Sequence, residues 1–165
     1  MAWKQLDLRP VDTSDDQFLL ALYESTRADE MAQVPWSDAQ KRAFLGGQFE
    51  AQRTDYVTRF PDAEHSIVVV DDEPIGRVWI DRRFDEIRLL DIAILPRSQN
   101  AGIGAALVEQ LQQQAAEAGL PLRHSVHTTN RDALRFYQRL DFVVVEDFET
   151  HVLMEWNPVV SPTDG

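Results

Sequence analysis

Leu89-Leu90-Asp91-Ile92-Ala93-Ile94-Leu95-Pro96, then Arg97-Ser98-Gln99-Asn100-Ala101-Gly102-Ile103-Gly104, then Ala105-Ala106-Leu107, is the stretch on which the rest of the chain is arranged. An apolar strand ends at a proline, a polar loop follows, and two glycines open a helix. Ile103, Leu107, Leu111, Ala115 and Ala118 recur at intervals of three or four, which predicts an amphipathic helix. Gly119 and Pro121 stop it. The first amides of such a helix lack internal partners, and the helix dipole adds partial positive charge there, so the pattern suits a phosphate. Glycines at 102 and 104 let an anion approach the backbone without meeting a Cβ. A Walker loop would need Gly-Lys-Ser/Thr, but alanines follow Gly104. A dinucleotide fingerprint would need a small residue where Leu107 stands.

Outward from this stretch, the chain alternates strand and helix signals. Trp3 to Val11 reads as a first strand closed by Pro10, and Thr13-Ser14-Asp15-Asp16 supplies capping residues before Phe18, Leu19, Leu22 and Tyr23. Pro35-Trp36-Ser37-Asp38 marks a loop and a new cap, with Gln40 in capping-box position, and the second helix runs from about Asp38 to Phe60. His65 to Val70 is a β-branched strand, Asp71 to Pro74 a turn, and Pro74 to Ile80 the returning strand. Glu86 to Leu95 then enters the glycine loop. After the central helix come a strand at Leu122 to Thr128, a short helix capped by Asn130 and ending at Leu140, and a hairpin of Phe142–Val145 with Thr150–Trp156. One domain is expected over 1–157, with a flexible tail over 158–165.

Two motifs carry a family resemblance. Gln99-x-x-Gly102-x-Gly104 follows Ile92-x-Ile94-x-Pro96, and Asn130-x-x-Ala133-x-x-Phe136-Tyr137-x-x-Leu140-Asp141-Phe142 follows later. Together with the element order β-α-α-β-β-β-α-β-α-β-β, they resemble the GNAT superfamily, the Gcn5-related N-acetyltransferases. The resemblance implies an α/β (α+β) fold: a mixed, mostly antiparallel twisted sheet of about six to seven strands flanked by about four helices. Asp141 stands where the family usually has glycine, often at a left-handed position, which aspartate tolerates better than most residues.

The resemblance also implies acetyl-CoA as cosubstrate and direct acetyl transfer to a primary amine of a small-molecule or peptide acceptor. The pyrophosphate is expected on the backbone of Gln99, Asn100, Ala101, Gly102, Ile103 and Gly104, with Arg97 nearby. The pantetheine arm is expected along Ile92, Ala93 and Ile94, like an added strand. Asn130, Ala133, Phe136 and Tyr137 of the second motif complete the cofactor side. Arg131 and Arg135 either add positive charge there or are solvated surface groups. Tyr137 is the candidate acid for the departing thiolate, since a phenol is protonated at neutral pH; the alternative is a core tyrosine. Asp91, flanked by leucine and isoleucines, is the candidate base, with a pKa that apolar surroundings would raise. Glu86, Glu30, a water chain, or an Asp91 held by backbone amides are the alternatives. On the second helix Phe44, Gln48, Gln52 and Tyr56 recur every four residues and, with Trp36, read as an acceptor wall or as the shoulder of a core-facing helix. Two other functions stay open: a non-catalytic acyl-CoA-binding module, and an O-acyl or longer-acyl transferase.

Composition narrows the remaining classes. The 165 residues suit a full core, and no cysteine is present, so thiol nucleophiles, disulfides and thiolate zinc sites are excluded. The four histidines lack metal-site spacing, so no metal is expected. A net charge of −12 argues against nucleic acid as a partner, and either keeps the protein soluble or favours a cationic substrate. No run is long enough to span a bilayer and no apolar leader opens the chain, so the reading is cytoplasmic with no membrane partner. A homodimer through the C-terminal strands is a further expectation of the resemblance.

Overall fold

A computed structural model describes residues 3–158. Its strands are β1 (Leu6–Pro10), β2 (Glu64–Val70), β3 (Glu73–Arg82), β4 (Ile87–Ile94), β5 (Leu122–His127), β6 (Val143–Asp147) and β7 (His151–Trp156). The helices are α1 (Asp16–Thr26), α2 (Ala28–Ala32), α3 (Asp38–Arg59), α4 (Ile103–Ala118) and α5 (Arg131–Arg139). The strands form one seven-stranded mixed sheet in the order β1-β2-β3-β4-β5-β7-β6. The β4–β5 ladder is parallel, and the β1–β2, β5–β7 and β6–β7 ladders are antiparallel. This is the expected architecture, with one short helix, α2, that five residues of sequence did not announce. Of the expected tail, only Pro158 falls among the described residues.

The chain divides into two compact units. One comprises the chain up to Trp79 together with Asp91–Ala101; the other comprises Ile80–Leu90 and the chain from Gly102 on. In the first, Leu19, Tyr23, Met31, Leu45, Phe49 and Ile67 form a buried cluster built from the apolar faces of α1, α2, α3 and β2. β1 pairs with β2 over five positions, from Leu6 opposite Val70 to Pro10 opposite Ser66. The start of α3 is closed by side chains, while α1 and α2 have no side-chain cap. Ser37 accepts from the Gln40 N–H at 3.1 Å and the Gln40 side chain accepts from the Ser37 N–H at 2.9 Å, the expected capping box. Ahead of α1 the box belongs to Asp12 and Asp15 around a short 3₁₀ turn, slightly upstream of the expected caps. Asp71 and Asp72 both have positive φ, 50° and 68°, as a two-residue hairpin turn with the twist of its strands requires.

In the second unit, α4 buries Ile103, Leu107, Val108, Leu111 and Ala115, the stripe expected from the sequence with Val108 added and without Ala118, which is exposed because the last turn of the helix runs out to its glycine stop. Each such aliphatic side chain contributes roughly 1.5–3 kcal/mol on burial, so α4 is held by its apolar face more than by propensity. Gly119 ends it at φ 69°. Asn130 Oδ1 accepts from the Ala133 N–H at 3.1 Å and starts α5. Asp141 takes φ 70°, the left-handed geometry its glycine-like position called for. β6 extends to Asp147, past the expected end at Val145, because a register shift between Val144 and Glu146 absorbs the extra residue.

Candidate functional site

The glycine loop begins with a single 3₁₀ turn at Pro96–Ser98, where proline occupies an N-terminal helical position that needs no N–H. The Gln99 side-chain amide turns back and donates to the Ile94 carbonyl at 3.0 Å, closing the loop on the strand that leads into it. Trp3 Nε1 donates to the Ala101 carbonyl at 2.7 Å, across 98 residues of sequence. Arg97 is exposed and lies 3.4 Å from Glu73. Asn100 and Gly102 both adopt left-handed backbone, with φ 62° and 79°.

At the start of α4, Gly102 is the N-cap, no side chain caps the helix, and its first turn holds no acidic residue. Intrahelical bonding begins with the Ala106 N–H donating to the Gly102 carbonyl at 3.0 Å. The amides of Ile103, Gly104 and Ala105 precede the first helical bond and none is met by a side-chain cap, whereas Ser37 and Asn130 each cap one such amide of α3 and α5; α1 and α2 likewise lack a side-chain cap. A start of this kind matches the chemistry of an anion ligand.

β4 is handled differently along its length. Its ladder with β5 covers Ile87, Arg88 and Leu89, opposite Leu122, Arg123 and His124, and stops there. Farther on, Ile92, Ala93 and Ile94 are half-buried. Beside them, β3 comes unusually close: a Cβ on Gly76 would stand 2.3 Å from the Ala93 carbonyl oxygen.

Asp91 is placed with Arg77, which sequence reading did not assign, and through it with Gln52 of the expected acceptor row. Its carboxylate accepts from Arg77 Nε at 2.8 Å, and the Arg77 side chain is only 5% exposed. The same guanidinium donates through a terminal nitrogen to Gln52 Oε1 at 2.7 Å. Arg77 lies 5.8 Å from the centre of the Trp79 ring, whose face stacks on His65 at 4.0 Å with the rings 2° apart. Tyr56 meets Trp79 edge-on at 4.8 Å. Burial, with Arg77 and Arg53 adding positive charge, pulls the His65 pKa down to about 4, so the ring is neutral at pH 7. Burial, then the Asp91 charge, raises the Tyr56 pKa, so the phenol stays protonated. The apolar flank expected around Asp91 is thus occupied by a buried guanidinium rather than by backbone amides.

The row on α3 divides into separate environments. Phe44 packs on Trp36 at 5.1 Å, with both rings about 40% exposed. Gln48 is reached by the Tyr23 hydroxyl at 3.4 Å, while Gln52 and Tyr56 join the Arg77–Asp91 cluster. Leu45 and Phe49 carry the helix into the core. Arg77, Trp79 and His65 were missed by sequence reading, yet a signal existed. Arg77 interrupts the apolar run Ile75–Ile80 as Asp91 interrupts Leu89–Leu95, opposite charges on consecutive strands; counting back from the Arg83–Glu86 closure sets Arg77 opposite Ile92, one residue from Asp91, so the pair itself was not legible in the sequence.

In the second unit, Tyr137 is 3% exposed and packs against His124, Phe136 and Phe142 at 4.8, 5.0 and 5.3 Å. His124 Nδ1 lies 2.8 Å from the Leu89 carbonyl. Ala133 and Phe136 are half-buried on α5, and Arg135 pairs with Asp132 on the exposed side. Glu86, an alternative base, is buried and faces Arg123, Arg88 and Arg83 at 3.0, 3.4 and 3.9 Å. Glu30, in the first unit, is exposed and 3.3 Å from Arg27. Among the described residues, no group of three or more His, Asp or Glu is arranged to hold a metal, and no helix is long and apolar enough to cross a membrane.

With this geometry in place, comparisons with known proteins add three findings. A family model described as "Acetyltransferase (GNAT) family" matches residues 19–142. Among solved structures, the chain is similar to the PaiA N-acetyltransferase of Thermoplasma acidophilum in complex with coenzyme A (TM-score 0.70, 18% identity, 93% of this chain and 99% of that one). An acetyltransferase from Thermus thermophilus gives TM-score 0.68 at 20% identity over 95% and 99% of the two chains. The ribosomal-protein-S18-alanine N-acetyltransferase of Escherichia coli gives 0.59 at 19% over 98% and 99%. These likenesses establish the fold. No curated protein matches the sequence.

Proposed function

Since the chain belongs to the GNAT acetyltransferase family and is a transferase of acyl groups, we propose that it moves an acetyl group directly from acetyl-CoA to a primary amine. The observation that carries this reading is the start of α4: left-handed backbone at Asn100 and Gly102, no side-chain cap and no acidic group in the first turn. A coenzyme A complex of a structurally similar protein supports an acyl-CoA ligand.

The backbone N–H groups from Gln99 to Gly104 hold the pyrophosphate, with Arg97 close in sequence to add charge. Ile92, Ala93 and Ile94 take the pantetheine arm, a role supported by the end of the β4–β5 ladder at Leu89. Asn130, Ala133 and Phe136 of the second motif are assigned to the same cofactor. Asn130 already spends its side-chain oxygen on the α5 cap, and Ile94 its carbonyl on Gln99. The acceptor nitrogen attacks the thioester carbonyl carbon, a C–N bond forms, and the C–S bond breaks. Tyr137 gives its phenolic proton to the departing thiolate. Asp91, oriented by Arg77, takes the proton that the amine loses, directly or through water. Gln52, Tyr56, Gln48, Phe44 and Trp36 form the acceptor side. The acceptor is a small-molecule amine or a protein amino group, the latter being the kind that the name of the Escherichia coli neighbour describes.

A second reading, a non-catalytic acyl-CoA-binding module, draws on the deep burial of the Tyr137 ring. Thiol release with a panel of amines separates the two, because a module binds acetyl-CoA without turnover. The anchor is tested by calorimetry. Gly102→Asp puts a carboxylate at the loop, and acetyl-CoA binding is expected to vanish while circular dichroism stays native. Wild-type affinity in the folded variant overturns the assignment.

A further inference from the structure

Away from the Arg77–Asp91 cluster, α1, α2 and the first two turns of α3 border a cleft of about 280 Å³. It is lined by Glu24, Ala28, Met31, Asp38, Lys41, Arg42 and Leu45. Met31 and Leu45 are buried, 9% and 5% exposed, and with Ala28 give it an apolar wall. The other four residues are charged, two of each sign.

These charges are not spent on each other. Asp38 stands three residues before Lys41 and four before Arg42, the spacings at which opposite charges pair along a helix. Yet among the described residues none of the four side chains forms an ion pair or a hydrogen bond. The arginines of the same unit behave otherwise: Arg9, Arg27, Arg53, Arg59, Arg77 and Arg97 each lie against a carboxylate. A cleft that keeps two carboxylates and two cations unpaired around an apolar wall offers partners of both signs to a dipolar ligand. Its volume is at the lower limit of ligand clefts, roughly 300–1,000 Å³, so the ligand is small.

We infer that this cleft binds a zwitterionic apolar α-amino acid. Glu24 and Asp38 receive its ammonium, Lys41 and Arg42 receive its carboxylate, and Ala28, Met31 and Leu45 pack against its side chain. Leu45 lies seven residues before Gln52 on α3, about 10 Å along the axis at 1.5 Å per residue. A ligand of this size therefore occupies the cleft without reaching the Arg77–Asp91 cluster.

Calorimetry without acetyl-CoA tests the inference independently of any transfer activity. Leucine and methionine are the probes. Isopentylamine, which is leucine without its carboxylate, and 4-methylpentanoate, which is leucine without its ammonium, are the controls. Saturable binding of leucine or methionine is expected, with each control weaker by about tenfold or more, since each leaves one pair of charges without a partner. The Lys41→Ala/Arg42→Ala double variant should weaken leucine about tenfold and leave isopentylamine unchanged. Glu24→Gln/Asp38→Asn should do the converse with 4-methylpentanoate. Asp38 and Arg42 are exposed, Glu24 and Lys41 are half-buried and none of the four is in the core, so circular dichroism should stay native. No saturable heat with either amino acid overturns the inference. So does isopentylamine binding as tightly as leucine, or leucine affinity unchanged in both double variants.

Discussion

At Tyr137 a packing role and a proposed catalytic role meet on one side chain. Its ring is enclosed by His124, Phe136 and Phe142, as a core tyrosine would be. In the proposed transfer its hydroxyl is the proton donor. Tyr137→Phe keeps the ring and the packing and removes the donor. If the phenol protonates the thiolate, kcat falls by at least about tenfold, towards the usual range of roughly 10²–10⁴ for acid–base contributions, while acetyl-CoA affinity holds. A core role alone lowers the melting temperature and leaves kcat within about twofold. Rate and melting measured on the same variant distinguish the outcomes. Asp91 carries a comparable lesson. Sequence context suggested an apolar setting, but a guanidinium from fourteen residues earlier supplies its partner.

At the scale of elements, the β3–β4 hairpin is constrained at Gly76. No side chain fits there, because a Cβ would meet the Ala93 carbonyl at 2.3 Å and Ile94 Cα at 3.3 Å. Gly76→Ala must push β4 away by shifting backbone, which is costlier than moving a side chain. Overpacking of this kind costs roughly 1–3 kcal/mol. In a chain of this length, that lowers the melting temperature by about 2–4 °C per kcal/mol. Since Ala93 and Ile94 are the proposed bed of the pantetheine arm, acetyl-CoA affinity should fall as well. Differential scanning calorimetry with an acetyl-CoA titration checks both. A destabilised variant with unchanged affinity would place the pantetheine elsewhere. The helices, by contrast, were legible one at a time. Ser37 with Gln40, Asn130 with Ala133, and Gly119 closing α4 all act within a few residues of chain. α2 escaped because a five-residue helix is too short to display a periodicity.

For the molecule as a whole, pH enters through His65. Its folded pKa of about 4 lies below the ordinary value of 6.5, so between those values the unfolded chain binds a proton that the native ring does not. Stability therefore rises with pH across the window and is lost as pH falls from 6.5 towards 4. Arg77, Arg53 and Asp15 are the charges that act on the ring. Allowing for its partial exposure, the loss between about pH 7.5 and 5 is on the order of 1–2 kcal/mol. His65→Phe keeps the ring stack on Trp79 and removes the proton. Urea midpoints at the two pH values should then converge by that amount relative to wild type. An unchanged pH slope would show that other groups govern acid sensitivity.

The sequence by itself determined the elements other than α2, their order and the family. Periodicity, caps and glycines act over one to four residues, and the two motifs lie within single strand–loop–helix segments. Even the left-handed turn at Asp141 was expected, from the glycine that the family resemblance places there. Only the tertiary structure decided the partners of the polar side chains. Arg77 meets Asp91 and Gln52 from fourteen and twenty-five residues away, and Trp3 reaches the Ala101 carbonyl across ninety-eight. The row on α3 looked uniform in sequence, yet folding gave Phe44 to the surface and Gln52 to a buried guanidinium. The reason is physical: a buried charge requires a partner, but local chemistry does not specify which distant residue supplies it. That choice is made when strands and helices pack.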